Sequence, residues 1–455
     1  MPVRPSFVRQ LPRAAARAAL GALLSASVAC RDRLNAFSAA DPTPIHATTT
    51  TAAATAVNRF GIDAYGRLRA GRSNVIFSPI STSLALAMTA AGAKGETLAQ
   101  ISRVLHLDDA ADAHAAFGDL LASLPQASEF QDPARLAVRI EDVVPGIGPP
   151  PPSPPVLRIA DRIWTQQGWT YHEDFVSILR DRYRSSVGEV DFFRAPGAAR
   201  DEINAWVEKQ TRRLIQDLLP PGAVDSVTRL VLTNAIYFKA SWASPFARPA
   251  TQDETFATPR GDVRAPMMRQ LAHFAYAKLD DGALVEMPYF DSSVSMVVFL
   301  PDDKNGLADL EGALGRDYDR WVGSLAQRRV DLWLPRWKVT QSFELDEVLR
   351  SLGMPLAFTR EADFSGMTDM PTEDPGKVHI DRVLQKAFVD VDEFGTEAAA
   401  ATAVVMAMAT SAMIGPPPPE PVVFHADHPF FYVIRERKTG AILFEGRVVN
   451  PLATP

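Results

Sequence analysis

Residue types that could carry out chemistry are sparse in this sequence, and their spacing matches no catalytic motif. The 455 residues contain neither a G-x-S-x-G nucleophile turn nor an H-E-x-x-H zinc pair, and no glycine-rich loop of the phosphate-binding kind. His425, Asp427 and His428 are close enough in sequence to suggest a metal site, but no nucleophile motif lies near them, and structural or surface roles are favoured. We therefore expect a protein that is not an enzyme and that holds no cofactor and no metal.

One uncharged segment near the C-terminus is better suited to a conformational change. No residue from Ala398 to Pro419 carries a charge. A transmembrane helix would need a more apolar run with basic flanks, and a buried helix or an irregular loop are further alternatives. We favour a segment patterned to become a strand, because every second side chain is small or apolar and a charged one would be costly to bury. These alternate residues are Thr396, Ala398, Ala400, Thr402, Val404 and Met406.

The elements that must position this segment predict an α+β fold. Alternation places Ala387, Val389 and Val391 on one face of a half-buried strand that leads into the segment. Helices dominate the first half of the chain and strands the second, which is typical of α+β folds with large antiparallel sheets. Periodicity predicts helices over 81–93, 97–105 and 201–219, and strands over 230–238, 294–300, 330–337, 388–391, 430–434 and 442–449.

Stretches of unusual amino-acid composition divide the chain into segments. Residues 1–29 combine arginines with a short apolar core, which is typical of a signal peptide, so we expect an exported protein. Cys30, the only cysteine, follows small residues as in a bacterial lipoprotein, and a lipid on Cys30 would anchor the protein to a membrane. Plain secretion and an unrelated cysteine are the alternatives. A flexible tether over 30–55, one domain over 56–455 and a proline-rich insertion over about 128–156 complete the predicted layout.

The charge balance argues against a nucleic-acid partner. The formal net charge is -7, and no broad basic excess is present. The densest basic group, Lys209, Arg212 and Arg213, lies on a predicted helix, where a solvated helix face is favoured over a polyanion site.

An ordered series of motifs resembles the serpin family. The resemblance covers about residues 56–452, and residues 393–400 (EFGTEAAA) are similar to the reactive-loop hinge of inhibitory members. With the lipoprotein-like start, the chain is identified as a bacterial member with an inhibitory-type hinge. The other matching segments are 74–81 (NVIFSPIS), 92–97 (GAKGET), 233–242 (TNAIYFKASW), 330–337, 363–367 (DFSGM) and 430–451.

This resemblance implies a fold of three β-sheets and about eight to nine helices, with an exposed reactive centre loop, here about 393–420. It also implies inhibition as a suicide substrate. A serine protease cleaves the loop and is held as an acyl-enzyme, while the freed loop inserts into the central sheet. The hinge residues that carry over are Glu393, Gly395 (the pivot), Thr396, Glu397, Ala398, Ala399, Ala400 and Thr402. The residues that match the family's sheet-opening region are Ser78, Ser81, Asn234, Trp242 and Gln385.

Two departures from the family pattern affect these expectations. Gln385 stands where many members have histidine, so the pH dependence of sheet opening should differ. The spacing usual in the family implies cleavage between Ala409 and Thr410, but the loop is longer than usual on its C-terminal side. Cleavage after Met408 or after Met413 therefore stays open as an alternative.

The loop sequence narrows the expected partner. Residues 398–419 contain no lysine or arginine, so we expect an elastase-like or subtilisin-like protease rather than a trypsin-like one. The expected protein is a monomer that binds its protease covalently. A non-inhibitory serpin-fold binding protein is the alternative.

Overall fold

The structure of the protein, a computed structural model, describes residues 47–107, 110–125, 154–369, 378–396 and 420–453. All of them belong to one compact unit, Ala47–Pro455. The predicted signal peptide, Cys30, nearly all of the proline-rich insertion and loop residues 397–419 lie outside the described residues. Within the described ranges, no helix is long and apolar enough to cross a membrane, and no cluster of His, Cys, Asp and Glu could hold a metal ion.

Eight α-helices occur in the described residues, six of them before residue 230. The second begins directly after Ser78, which caps it, and Pro79 takes the first helical position, where its missing N–H costs nothing. This helix is buried on every side, because it lies between two sheets. The helices are α1 Ala47–Leu68, α2 Pro79–Ala90, α3 Gly95–Val104, α4 Ala110–Ser123, α5 Glu173–Tyr183, α6 Pro196–Gln210, α7 Leu307–Gly323 and α8 Asp346–Leu352.

Two helix boundaries differ most from the sequence prediction. Helix α1 begins at Ala47, inside the stretch predicted as a tether, because its alanines pack into the core. The helix predicted over 201–219 instead ends at Gln210. The Thr211 hydroxyl donates to the Val207 carbonyl and accepts from the Ile215 amide, and Arg212 and Arg213 adopt positive φ angles of 53° and 65°. A side chain that bonds its own backbone in this way competes with the helix.

Fifteen strands in the described residues form two hydrogen-bonded sheets. The segment predicted as one strand over 330–337 is two strands that break at Arg336, directly after Pro335, which has no N–H to donate. The strands are β1 Val75–Phe77, β2 Val156–Gln166, β3 Gly188–Val190, β4 Leu230–Ser241, β5 Gln252–Phe256, β6 Val263–Lys278, β7 Gly282–Pro288, β8 Val294–Pro301, β9 Ala326–Pro335, β10 Trp337–Glu344, β11 Arg382–Asp392, β12 Gly395–Thr396, β13 Val422–His425, β14 Phe430–Glu436 and β15 Ile442–Val448.

The larger sheet has nine strands, in the order β1-β15-β14-β8-β7-β6-β9-β13, with β5 also paired to β6. Strand β6 is 16 residues long and joins two parts of this sheet, since its residues 263–267 pair with β5, 267–276 with β9 and 275–278 with β7. The smaller sheet has six strands, in the order β10-β11-β12-β4-β2-β3. The predicted α+β class is therefore confirmed, and the three expected sheets correspond to the six-stranded sheet and the two parts joined at β6.

Helix α2 supports the six-stranded sheet. It packs against β2 and β4 of that sheet on one side and against β15 of the nine-stranded sheet on the other. Its Leu84 and Leu86 are at most 2% exposed, and burying each such side chain contributes about 1.5–3 kcal/mol. The core therefore lies between the two sheets, and any movement of β2 and β4 takes place over α2.

Candidate functional site

Strands β4 and β11 are neighbours at the centre of the six-stranded sheet, and β12 lies between them at one end. Residues 382–387 of β11 pair in parallel with 231–236 of β4. Beyond that stretch β12 pairs antiparallel with both strands. Gly395 is opposite Asp392 and Ser241, and Thr396 is opposite Val391 and Ala240. The first residues of the predicted loop are therefore already strand residues of this sheet.

The turn that leads into β12 requires glycine. Gly395 has a φ of +155°, and a Cβ atom there would lie 1.9 Å from the Ala240 carbonyl oxygen. The Asp392 carboxylate closes the turn, since its Oδ1 accepts hydrogen bonds from the amides of Phe394 at 2.8 Å and Gly395 at 3.2 Å. Burial raises the pKa of Asp392 despite these hydrogen bonds.

Thr396 is fully buried and is held by an aromatic pair. Its hydroxyl is 2.6 Å from the hydroxyl of Tyr289, and the Tyr289 ring stacks on Trp242 with centroids 4.4 Å apart. The Trp242 indole donates to the Asp392 carbonyl at 2.9 Å, so the pair contacts both sides of the turn. Burial raises the pKa of Tyr289 far above its ordinary value, and the phenol therefore stays neutral. Trp242 was predicted from its motif, but Tyr289 was not.

Glu393 anchors the same turn from the other side. Its carboxylate is buried, and Oε1 accepts from Arg336 Nε at 2.9 Å and from the Thr251 hydroxyl. Burial would raise the pKa of Glu393, but the hydrogen bonds from Arg336 and Thr251 outweigh it and hold the pKa below its ordinary value. Arg336 occupies the break between β9 and β10, so that break positions the cation.

A second group of polar side chains lies further along β11 and β4, and we call it the sheet cluster. Its members come from α2, from the residue that caps α2, and from three strands, and all face the interior. Gln385 is fully buried and its Nε2 lies 2.7 Å from Asn234 Oδ1, which links β11 to β4 by their side chains. The Gln385 amide also bonds the main chain of Ser78 and the hydroxyl of Thr82. The sheet cluster comprises Ser78, Ser81, Thr82, Asp161, Asn234 and Gln385.

Asp161 extends the sheet cluster to β2. Its Oδ1 accepts from the Ser81 hydroxyl at 2.8 Å and from the Asn234 amide at 2.9 Å. Its Oδ2 is buried and has no hydrogen-bond partner among the described residues. Burial raises the pKa of Asp161 well above its ordinary value, although the hydrogen bond from Ser81 acts in the opposite direction.

The predicted site residues thus fall into three groups. Ser78, Ser81, Asn234 and Gln385 meet in the sheet cluster, and Trp242 lies apart from them beside the turn. Glu393, Gly395 and Thr396 form the turn and β12. Residues that lie outside the described ranges are Glu397, Ala398, Ala399, Ala400, Thr402, Met408, Ala409, Thr410, Met413 and Cys30.

Sequence reasoning missed several members of these groups, chiefly Asp161, Tyr289 and Arg336. Their positions depend on strand pairing between distant parts of the chain, and no local pattern marks Tyr289 or Arg336. An acidic residue on the inward face of a strand was the one available signal for Asp161.

The histidines singled out in the sequence each have a partner. His425 Nε2 is 3.1 Å from Glu254, and the ring packs on Trp333. His428 Nδ1 is 2.7 Å from Asp427. These contacts fit the structural and surface roles favoured from the sequence.

Comparison with known proteins identifies the family. A family model described as Serpin (serine protease inhibitor) matches residues 55–451. The chain is 37% identical over 398 residues to an uncharacterized serpin-like protein of Thermococcus kodakarensis, which covers 87% of this chain and 85% of that protein. It is 35% identical over 410 residues to the leukocyte elastase inhibitor of Equus caballus, which covers 87% and 99%.

A solved structure agrees with these sequence matches. Serpin48, a highly specific serpin of the insect Tenebrio molitor, has a TM-score of 0.72 and 30% identity, covering 88% of this chain and 98% of that one. The bacterial origin stays a prediction. Because the family model spans most of the chain, this protein belongs to the serpin family.

Proposed function

We propose that the protein is a single-use inhibitor of serine-type proteases and has no catalytic activity of its own. The observation that carries this proposal is the placement of β12. Gly395 and Thr396 lie between β11 and β4 and pair with both, so the uncharged segment that begins at Ala398 has a prepared route into the sheet. A loop with no such entry would have to form its first contacts before insertion could begin.

Insertion replaces one set of contacts with a larger one. The loop must separate 382–387 from 231–236 and break the bond between Gln385 and Asn234. The inserted strand then pairs with β11 on one side and β4 on the other, which makes two ladders where one was lost. Each additional hydrogen bond contributes about 1 kcal/mol net, and buried alanine, valine and methionine side chains contribute more. This free energy is available to distort a protease that is still attached to the loop.

The target that we propose is an elastase-like or subtilisin-like protease. The uncharged loop presents Ala, Met and Thr around the proposed bond between Ala409 and Thr410, and these side chains suit a small or apolar primary pocket. The match to the serpin family and the similarity to a leukocyte elastase inhibitor support inhibition in general, whereas the choice of bond and protease depends on the loop sequence.

The test uses the domain from about residue 38 with pancreatic elastase and with subtilisin. We expect a band at the summed mass that survives denaturing electrophoresis, and release of a C-terminal peptide that begins at Thr410, identified by mass spectrometry. Cleavage in the loop with no such band and no gain in thermal stability would contradict the proposal and favour the non-inhibitory alternative.

A matched pair of variants separates insertion from cleavage. Thr396→Arg places a guanidinium at a fully buried position against Tyr289, where an unpaired charge is costly. We expect this variant to be cleaved as an ordinary substrate, with at least a tenfold loss of covalent complex. Thr396→Ser keeps the hydroxyl and should retain the complex. Equal yields of complex from the two variants would refute the role of β12.

A further inference from the structure

The Asp161 carboxyl can titrate and has one buried oxygen without a hydrogen-bond partner among the described residues, and a purely structural hydrogen-bond partner needs neither property. It is held on one oxygen by α2 through Ser81 and by β4 through Asn234, while its other oxygen is buried without a partner among the described residues. Asp161 is also the only titratable member of the sheet cluster. The remaining members are Ser, Thr, Asn and Gln residues, which do not change charge between pH 4 and 9.

No cation among the described residues compensates this carboxyl. Helix α2 carries no titratable residue, and the inward residues of β4 and β11 around the cluster are uncharged. Arg158 and Arg162 lie on the opposite face of β2, where Arg162 packs on Trp164. The 185–187 segment contributes the Ser185 hydroxyl to the Asp161 carbonyl, and Asp161 forms no ion pair in the part of the chain described.

The side chains described for the neighbouring helices also provide no charged partner for Asp161. Helices α4 and α5, which pack against α2, bring His114 and Tyr183 together, but these two bond each other at 2.8 Å. Burial lowers the pKa of His114 and raises that of Tyr183, so both are held neutral near pH 7. With no opposing charge, burial dominates at Asp161 and raises its pKa well above the ordinary value. The closed sheet therefore favours the neutral, protonated form of Asp161.

We propose that Asp161 makes opening of the six-stranded sheet depend on pH, with the neutral acid favouring the closed sheet and the ionised carboxylate favouring the open one. The proposal deepens the proposed function, since loop insertion requires this opening. Opening breaks the bond from Gln385 to Asn234 and admits water beside β4, one strand from Asp161. A carboxylate gains more from that hydration than a neutral acid does, so losing the proton lowers the cost of opening.

Gln385 cannot supply such a response, because an amide does not titrate in this range. Only the Asp161 proton is involved. The opening rate should therefore rise by at most about tenfold per pH unit between the pKa of Asp161 in the open sheet and its pKa in the closed sheet, and then level off. An intact sheet at low pH would thus become progressively easier to open as the pH rises.

The experiment measures opening without a protease. A fluorescent peptide with the sequence of residues 396–408 is added to the domain with its own loop intact, and its rate of incorporation is followed by native electrophoresis at pH 5–8. We expect the wild-type rate to increase across this range. Asp161→Asn, which keeps an acceptor but no charge, should incorporate the peptide slowly and with a flat pH profile. The exposed Asp262→Asn serves as the matched control and should behave as the wild type.

A second variant tests the mechanism if Asp161→Asn folds poorly. Ser81→Ala removes one donor from the carboxylate and should move the rise in rate to higher pH, whereas a purely structural role would change the rate equally at every pH. A flat wild-type profile, a sloping Asp161→Asn profile or no incorporation at any pH would each overturn the proposal. Normal incorporation without any covalent protease complex would instead count against the proposed function alone.

Discussion

Replacing Arg336 by methionine should weaken the turn that anchors the loop, and the effect should depend strongly on pH. Methionine keeps much of the apolar stem but removes the guanidinium that bonds the buried Glu393 carboxylate. Breaking a fully buried ion pair costs about 3–5 kcal/mol. Because the Arg336 side chain is 41% exposed, solvent screens the pair, and we expect a loss of about 1–2 kcal/mol at pH 7.

The sign of the pH dependence follows from the pKa of Glu393. In the wild type this pKa is lowered, so the carboxylate stabilises the fold above its unfolded-state pKa of about 4.3, and that contribution is lost as the pH falls through the folded-state value. In Arg336→Met the largest opposing interaction is gone and the hydrogen bond from Thr251 remains, so burial should raise the pKa of Glu393 above its ordinary value. Stability should then fall as the pH rises through the new value. The difference between the proteins should therefore be largest near pH 7 and small near pH 4.

The assay is urea unfolding at pH 7 and pH 4, followed by tryptophan fluorescence, because Trp242 lies beside the turn. The double variant Arg336→Met with Glu393→Gln removes the unpaired charge and should recover much of the loss at pH 7. An equal loss at both pH values, or a double variant no more stable than the single one, would refute this reasoning.

Three further changes test other features of the protein. Gly395→Ala brings a Cβ against the Ala240 carbonyl and should displace β12, seen as new protease cleavage close to residue 396 and a loss of about 2–3 kcal/mol, whereas Gly261→Ala, in an open turn, should cost less. Tyr289→Phe leaves the Thr396 hydroxyl buried without its partner and should cost about 1–2 kcal/mol in thermal unfolding, with unchanged folding by circular dichroism. Cys30→Ser should abolish incorporation of labelled fatty acid in a bacterial host, while persistent labelling would refute lipidation at Cys30.

The parts of the fold that could be predicted from sequence are those with a strong local period. The inward positions of Ala387, Val389 and Val391 in β11 were predicted correctly, because successive side chains of a strand point to opposite faces, and all three are at most 1% exposed. The inward orientation of Thr396 follows from the same alternation. The α+β class was predictable for this reason too.

The errors arose where one side chain overrides the local pattern. The periodicity of 201–219 continues past Gln210, but the Thr211 hydroxyl ends the helix there, and apolar residues beyond it pack as an irregular segment. Asp161 and Tyr289 could not be assigned from sequence, because their partners, Asn234 and Thr396, lie 73 and 107 residues away. Such contacts exist only once the strands have paired.

The short strand β12 also determines the strand register that the rest of the loop would adopt in the sheet. It is antiparallel to β11 and to β4 at once, so in the proposed insertion each further residue would advance one step along both neighbours. Continued without a slip, this register would bring Thr402 between Gln385 and Asn234, the two side chains whose direct bond the proposed insertion breaks. The threonine hydroxyl can donate and accept, so it could satisfy both amides in the inserted form. A one-residue insertion or deletion between Thr396 and Thr402 would instead present the opposite face of the strand, and the loop would lose its fit without any change in composition.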